Sequence, residues 1–297
     1  MEGVIAVAEY FIKKGKEYFA ARDIFDRNGV LLLGKGQRVT DNIRKRLSMF
    51  GIYTHEAPDK SDSNQSPESH AYDGRSPDLY EITKELKDRL NISNERVFSK
   101  ANDILSNIIF DSRTQPWWIY VNALSNYVGW IYTHSIDVAI ISVMMAAEIG
   151  YNEEELSWLG ISALLHDIGK LLVPKSIILK SEILTDMEMA LLRQHCELGM
   201  SSLASVSFPR EYLDVVTQHH ERLDGSGYPK GMKGDEISRN AKIAIVADVV
   251  DDISSARPGR LAQPMEAVIW HLKTENEKYP QEYVAVLEEV LGFRHAS

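Results

Sequence analysis

At 297 residues and a formal net charge of −10, the chain has room for one large or two modest domains in an ordinary globular composition. The negative balance argues against a general nucleic-acid coat or an anionic membrane surface as partner, so no DNA, RNA or membrane is expected, and an anionic small substrate would need a local basic patch. The single cysteine, Cys196, excludes an internal disulfide and points to the cytoplasm. The N-terminal stretch is acidic where a signal peptide is basic, and the longest apolar run, Val138 to Ala147, is short for a bilayer, so a soluble protein is expected.

Residues 1–57 read as a small α+β module. A hairpin is expected over Phe25 to Leu33 with its turn at Asn28-Gly29, and Thr40 reads as the N-cap of a helix that buries Ile43, Leu47 and Phe50 and stops at Gly51. Gly34-Lys35-Gly36 lacks phosphate-loop spacing and reads as a strand-to-helix turn, and His55 as a surface residue. Residues 58–77, rich in Ser, Pro and acid, read as a flexible linker.

From residue 78 to 297 the pattern is helical. Leu79, Ile82, Leu86 and Leu90 mark one amphipathic helix, continued or restarted through Val97, Ala101, Ile104, Leu105 and Ile108. Pro116 opens another, read as running past Trp130 and His134 to about Glu148, with Gly150 as its stop. Further helices are expected from Glu153, near Thr185, around Tyr212 to His220, from Arg239 and from Gln263. His220 to Gly234 is a long Gly- and Pro-dense loop, and such loops inside compact domains are usually functional. The predicted class is mainly α, an all-helical domain behind a small α+β module.

The chemistry is concentrated between Gly160 and Lys170. Leu156, Leu159, Gly160 and Ala163 form a buried helix face, and Asp167, four residues on, inherits that direction. A carboxylate aimed inward needs a basic side chain or a metal. His134, His166, His195, His219 and His220 in apolar or helix-terminal settings favour the metal, and Asp248, at the end of the apolar run Ala241 to Ala247, repeats the same puzzle. This mixed nitrogen and oxygen set suits iron, manganese, zinc or nickel. Seven ligands exceed one ion and suit two, bridged by a carboxylate at roughly 3.5–4 Å. Plainer readings compete. His219-His220 could be a wet helix end, Asp167 could simply pair with Lys170, and Gly225, Gly227 and Pro229 could only build a turn. Arg257 and Arg260 could be surface charges; Cys196, Trp117, Trp118 and Trp130 read as core or interface, and His271 and His295 as structural.

Tyr132-Thr-His134, Leu165-His166-Asp167-Ile-Gly-Lys170, Arg193-Gln-His195 with Gly199, His219-His220-Glu-Arg-Leu-Asp-Gly225-Ser-Gly227-Tyr228-Pro229 and Ala247-Asp248 follow in that order, and this series resembles the HD-GYP family of metal-dependent cyclic di-GMP phosphodiesterases. The resemblance covers roughly Trp117 to Glu289; residues 1–57 resemble, more weakly, N-terminal modules of some members. It implies that His134, His166, Asp167 and Asp248 hold one metal and His195, His219 and His220 the other, with Asp167 bridging. It assigns Asp167 and Lys170 to catalysis, and Lys170, Tyr228, Arg257 and Arg260 to the substrate. The implied cofactors are two divalent ions, iron first and manganese second. The implied reaction is attack of a metal-activated hydroxide on cyclic di-GMP, giving linear pGpG, with a second cut to GMP left open. A non-catalytic nucleotide- or metal-binding signalling module, or an HD-type phosphohydrolase of another nucleotide, is the alternative. A homodimer or a signalling partner would use the N-terminal module. The chain departs from the family pattern at Trp130, where a third-metal glutamate stands in some members, and at Lys242, Asp252, Gly259 and Leu223, which bears on substrate preference and rate.

Overall fold

The structure, a computed structural model, describes residues 10–15, 17–25, 31–50, 79–112, 115–204, 206 and 208–293. The Asn28-Gly29 turn, Gly51, His55, the linker at 58–77 and His295 lie outside the described residues, as does the side chain of Phe50. The chain divides into two compact units, Met1–Glu81 and Ile82–Ser297. The architecture is mainly α: a helical unit preceded by a small sheet-bearing module.

In the first unit β1 (Phe11–Lys14), β2 (Glu17–Ala20) and β5 (Arg38–Val39) form an antiparallel sheet in the order β1-β2-β5, with Gly15 at φ +63° in the first turn. A second pair, β3 (Ile24–Phe25) with β4 (Leu31–Leu33), is the expected hairpin. Gly34-Lys35-Gly36 joins two strands, β4 to β5, and not a strand to a helix. Lys35 N–H donates to Asp23 Oδ1 (2.7 Å) and Gly34 N–H to Gln37 Oε1 (2.8 Å), so the loop's N–H groups are taken up by side chains of this unit. Helix α1 (Asp41–Phe50) starts behind Thr40, whose Oγ1 accepts from Ile43 N–H at 3.1 Å, and its Ile43 and Leu47 are buried, as are Phe19, Ile24 and Val39 of the same unit.

The helical unit begins with α2 (Leu79–Arg89) and α3 (Glu95–Ser112), separate helices because Asn91 turns to φ +50° between them. The helix expected from Pro116 to Glu148 is two, α4 (Trp118–Tyr127) and α5 (Gly129–Glu148), since Val128 is extended at φ −147°. Helix α5 is apolar on every side and is the core element, packed by α3, α4, α6 (Glu153–Leu165), α11 (Arg239–Ser254) and α13 (Gln281–Leu291). By length and composition α5 could cross a membrane, which the ten-residue apolar run did not suggest, yet 83% of its apolar window is buried inside the fold. Asn152 caps α6 reciprocally with Glu155, and α6 approaches α3 and α5 closely at Gly160, where an added Cβ would lie 2.7 Å from Ile108 Cδ1. The remaining helices are α7 (Lys175–Ile178), α8 (Asp186–Arg193), α9 (His195–Ser202), α10 (Arg210–Gln218) and α12 (Met265–Thr274). Of these, α7, α9 and also α13 were not anticipated from the sequence.

Candidate active site

All seven predicted ligands come from five places in the helical unit and meet at one point. His134 lies within α5 and Asp248 within α11. His166 and Asp167 follow the last residue of α6, His195 opens α9, and His219 and His220 follow α10. Backbone carbonyls in the last turn of each helix also hold the imidazoles. Nδ1–H of His166 donates to Ala163 O at 2.6 Å, that of His195 to Leu192 O at 2.7 Å and that of His219 to Val215 O at 3.0 Å. Since a carbonyl only accepts, each ring presents an unprotonated Nε2 to the centre.

The centre is short of positive charge. Nε2 of His166 lies 3.2 Å from Nε2 of His134, and Nε2 of His195 lies 3.2 Å from Nε2 of His219, the latter two facing each other lone pair to lone pair. Asp167 stands between the two pairs. Its Oδ2 is 3.5 Å from both His134 and His166, while its Oδ1 is 3.4 Å from His195 and 3.8 Å from His219 and has no hydrogen-bond donor although fully buried. Asp248 approaches the first pair through Oδ1 (3.1 Å to His134 Nε2) and His220 Nδ1 through Oδ2 (3.7 Å). Two ligand groups result, Asp167 with His195, His219 and His220, and His134 with His166 and Asp248. An orphaned buried carboxylate oxygen among facing imidazole lone pairs is what a cation would satisfy, so the residues present fit divalent metal.

The electrostatics agree. Burial pushes His166, His219 and His220 below the ordinary imidazole range and His195 down to about 4, so these rings are neutral, as ligands must be. Burial works against the carboxylates too, but the charge of Lys170, joined by that of His134, holds Asp167 well below the usual range, and the hydrogen bond from His134 does so for Asp248. His134 differs: burial disfavours its charge, yet hydrogen bonds to Asp248 and Asp251 outweigh burial and push it up to about 10. Without metal, a proton on His134 takes the cation's place.

Lys170 sits where expected, its Nζ donating to Asp167 Oδ2 at 2.5 Å, so the plain salt bridge and the ligand geometry coexist. A cavity of about 420 Å³ opens on the centre, and Lys170, Tyr228, Arg257 and Arg260 all line it. Tyr228 stacks on His220, ring centroids 4.7 Å apart. Its loop is fastened by Glu221, a fully buried carboxylate that accepts from the N–H groups of Lys230 (2.8 Å) and Met232 (2.9 Å). Gly227 passes so close beneath that an added Cβ would lie 2.4 Å from Glu221 Cα. Both arginines already hold carboxylates: Arg257 donates to Asp251 Oδ2 at 2.6 Å, and Arg260 grips Asp252 at 2.7 and 2.8 Å and also bonds its backbone carbonyl.

Several functional residues escaped the sequence reading. Trp130, read as core or interface, lines the cavity, with the Arg257 guanidinium 4.6 Å above its ring. Asp251, fully buried, takes Nδ1–H of His134 at 2.6 Å and so fixes that ring's tautomer. Asp137, one turn after His134, is also buried; burial and the charge of Asp251 push its carboxyl up, against Arg89. For the two carboxylates the signal was present: each stands three residues after a predicted ligand in an apolar run, Asp137 after His134 and Asp251 after Asp248. Cys196 is a buried thiol raised by its burial, 3.5 Å from His195 Nε2, as expected of a core residue. His271 contacts Tyr279 and Glu275 and is no part of the centre.

The Asp167 segment and α9 cross at Gly169 and Gly199. A Cβ on Gly169 would lie 1.9 Å from the His195 carbonyl oxygen and 2.6 Å from Gly199 N. Gly169→Ala is therefore expected to cost about 3 kcal/mol and to displace His195. Thermal denaturation and metal content check this; a wild-type melt with full metal would contradict it.

A helical unit whose His-Asp dipeptide meets histidines from three further helices defines an HD-type domain. Residues 119–280, more than half of the chain, match the family described as HD domain, and the chain belongs to that family. It is 38% identical over 134 residues to the cyclic di-GMP phosphodiesterase response regulator RpfG of Xanthomonas campestris, covering 44% of this chain and 35% of that protein. It is 35% identical over 161 residues to a cyclic di-GMP phosphodiesterase of Thermotoga maritima, covering 53% and 44%. It is 36% identical over 149 residues to 3'3'-cGAMP-specific phosphodiesterase 3 of Vibrio cholerae, covering 50% and 32%. The chain thus spans less than half the length of these relatives. Among solved structures it resembles a HDG"Y"P protein from Bdellovibrio bacteriovorus (TM-score 0.51, 16% identity, 97% of this chain and 98% of that one), a likeness of fold.

Proposed function

We propose that the chain is a metal-dependent phosphodiesterase that linearises cyclic di-GMP to pGpG and cleaves this further to GMP. The observation that carries the reading is Asp167, with one oxygen toward each histidine pair and one of them without a donor, buried behind His134 and His195, which line a cavity together with Lys170 and two arginines. The names of the relatives support a cyclic dinucleotide as substrate. Two divalent ions, iron by preference and manganese as the substitute, would be held by the two ligand groups and would supply water activation and neutralisation of phosphoryl charge. The chain's own residues do the rest. Lys170 holds Asp167 in one orientation and keeps its proton, since Asp167 outweighs the burial that opposes its charge. Tyr228 and Trp130 offer flat faces to a base, and Arg257 and Arg260 offer guanidinium forks to phosphate oxygens.

Anaerobically purified protein loaded with Fe(II) or Mn(II) and offered cyclic di-GMP, 3'3'-cGAMP, linear dinucleotides and nucleoside polyphosphates tests this. Cleavage of a cyclic dinucleotide above the others is expected; cleavage of polyphosphates alone would overturn it. One observation favours a binding module, namely that Arg257 and Arg260 are both engaged by carboxylates. Tight nucleotide binding without cleavage under either metal would establish that reading.

The Arg260–Asp252 pair is half-exposed on both sides, so it is worth about 0–1 kcal/mol and exchanges readily with solvent or ligand. Asp252 competes with phosphate for that guanidinium. In steady-state kinetics Asp252→Ala is expected to lower KM about three- to fivefold with kcat unchanged; an unchanged or higher KM would show that the pair does not compete.

A further inference from the structure

We infer that Arg89 is a positioning residue for the His134 half of the metal centre, acting through Asp251. The inference rests on the metal-binding reading above. Arg89 is the last residue of α2 and lies outside residues 119–280 that match the HD domain. Its guanidinium donates to Asp137 Oδ2 (2.6 Å), Asp251 Oδ1 (2.7 Å) and Ser254 Oγ (2.6 Å), and so ties the end of α2 to α5 and α11 at once.

Asp251 is held on both sides. Oδ1 accepts from Arg89 and from Ser255 Oγ (2.9 Å), while Oδ2 accepts from His134 Nδ1 and from Arg257. A carboxylate with two donors on each oxygen cannot swing, and the oxygen facing His134 sets where that ring's Nε2 points. Asp137 is the reason Arg89 is needed. It is buried beside Asp251, and two carboxylates there repel unless a cation lies between them. Without Arg89, nothing cationic separates Asp137 from Asp251 and Asp251 Oδ1 loses a donor, which loosens the hold of Asp251 on His134. The other half of the centre does not share this support: His195 and His219 hang from the carbonyls of Leu192 and Val215. The effect is therefore one-sided.

The test is metal titration of the stripped full-length chain with Mn(II), followed by equilibrium dialysis and elemental analysis. The wild type is expected to take up two equivalents. Arg89→Met is expected to keep one tight equivalent and to bind the other roughly 10- to 100-fold more weakly. Arg89→Lys recovers part of the loss, because it keeps the cation but not the fork. Far-UV circular dichroism accompanies each variant. Should Arg89→Met not fold, the double variant Arg89→Met/Asp137→Asn, which removes one carboxylate charge together with the cation, is expected to fold and still show the one weakened site. Wild-type affinity at both sites, or equal weakening of both in a folded variant, would overturn the inference. A wild type that binds two ions but cleaves no cyclic dinucleotide would sink the phosphodiesterase reading and leave this titration decisive.

Discussion

Asp167→Asn is expected to reduce kcat/KM for a cyclic dinucleotide by about 100- to 5,000-fold, since breaking a buried ionic cluster costs roughly 3–5 kcal/mol and each 1.36 kcal/mol is tenfold. Four imidazoles and Lys170 converge on this carboxylate, and none of them is replaced by the amide. A purely structural Asp167–Lys170 bridge predicts something different. Removing both charges, in Asp167→Asn/Lys170→Met, would then restore folding and turnover together. The metal role predicts that the double variant regains stability and stays inactive and metal-poor. Steady-state kinetics beside elemental analysis separates the two.

Metal removal should have the second large effect. If each ion is held at about 100 times its dissociation constant, two ions stabilise by about 5 kcal/mol, which in a unit of this size is about 10–20 °C of melting temperature. The stripped protein also acquires a pH dependence of known sign. His134, raised from 6.5 to about 10, contributes stability that is complete below pH 6.5 and is lost as pH climbs through about 10. His195, lowered from 6.5 to about 4, works the other way: the unfolded chain takes the proton first, so stability falls as pH drops below 6.5. Stripped protein is thus expected to melt highest near pH 6.5 and lower on both sides. Loaded protein lacks the alkaline loss, because the ion replaces the proton on His134, and calorimetry in buffers of different ionisation enthalpy should record that proton's release. A melting temperature indifferent to chelation across this range would contradict the account.

The centre was more legible in the sequence than the fold around it. A histidine or aspartate that ends an apolar helical run carries its own warning, because a buried carboxylate needs a cation or an array of donors, and His166, Asp167 and Asp248 were found that way. The break at Val128 was invisible: Tyr127-Val-Gly sits in a stretch of otherwise sound helix pattern, and what opens it is a single extended residue. Strand β1 was missed because Phe11–Lys14 has only two apolar residues and is mostly exposed, too little for alternation to register. Asp251 and Asp137 were within reach, had the rule used for Asp248 been applied once more in its own helix, α11, and once in α5. Arg89 was not, since it meets Asp251 across 162 positions of chain and local pattern carries no such information.

The central claim is that two cations share Asp167. Anomalous diffraction from crystals grown anaerobically with Mn(II) measures it directly. The expected result is two peaks about 3.5–4 Å apart, one among His134, His166 and Asp248 and the other among His195, His219 and His220, both against Asp167. A map with no peak there, or with one peak that leaves either histidine group untouched, would contradict it.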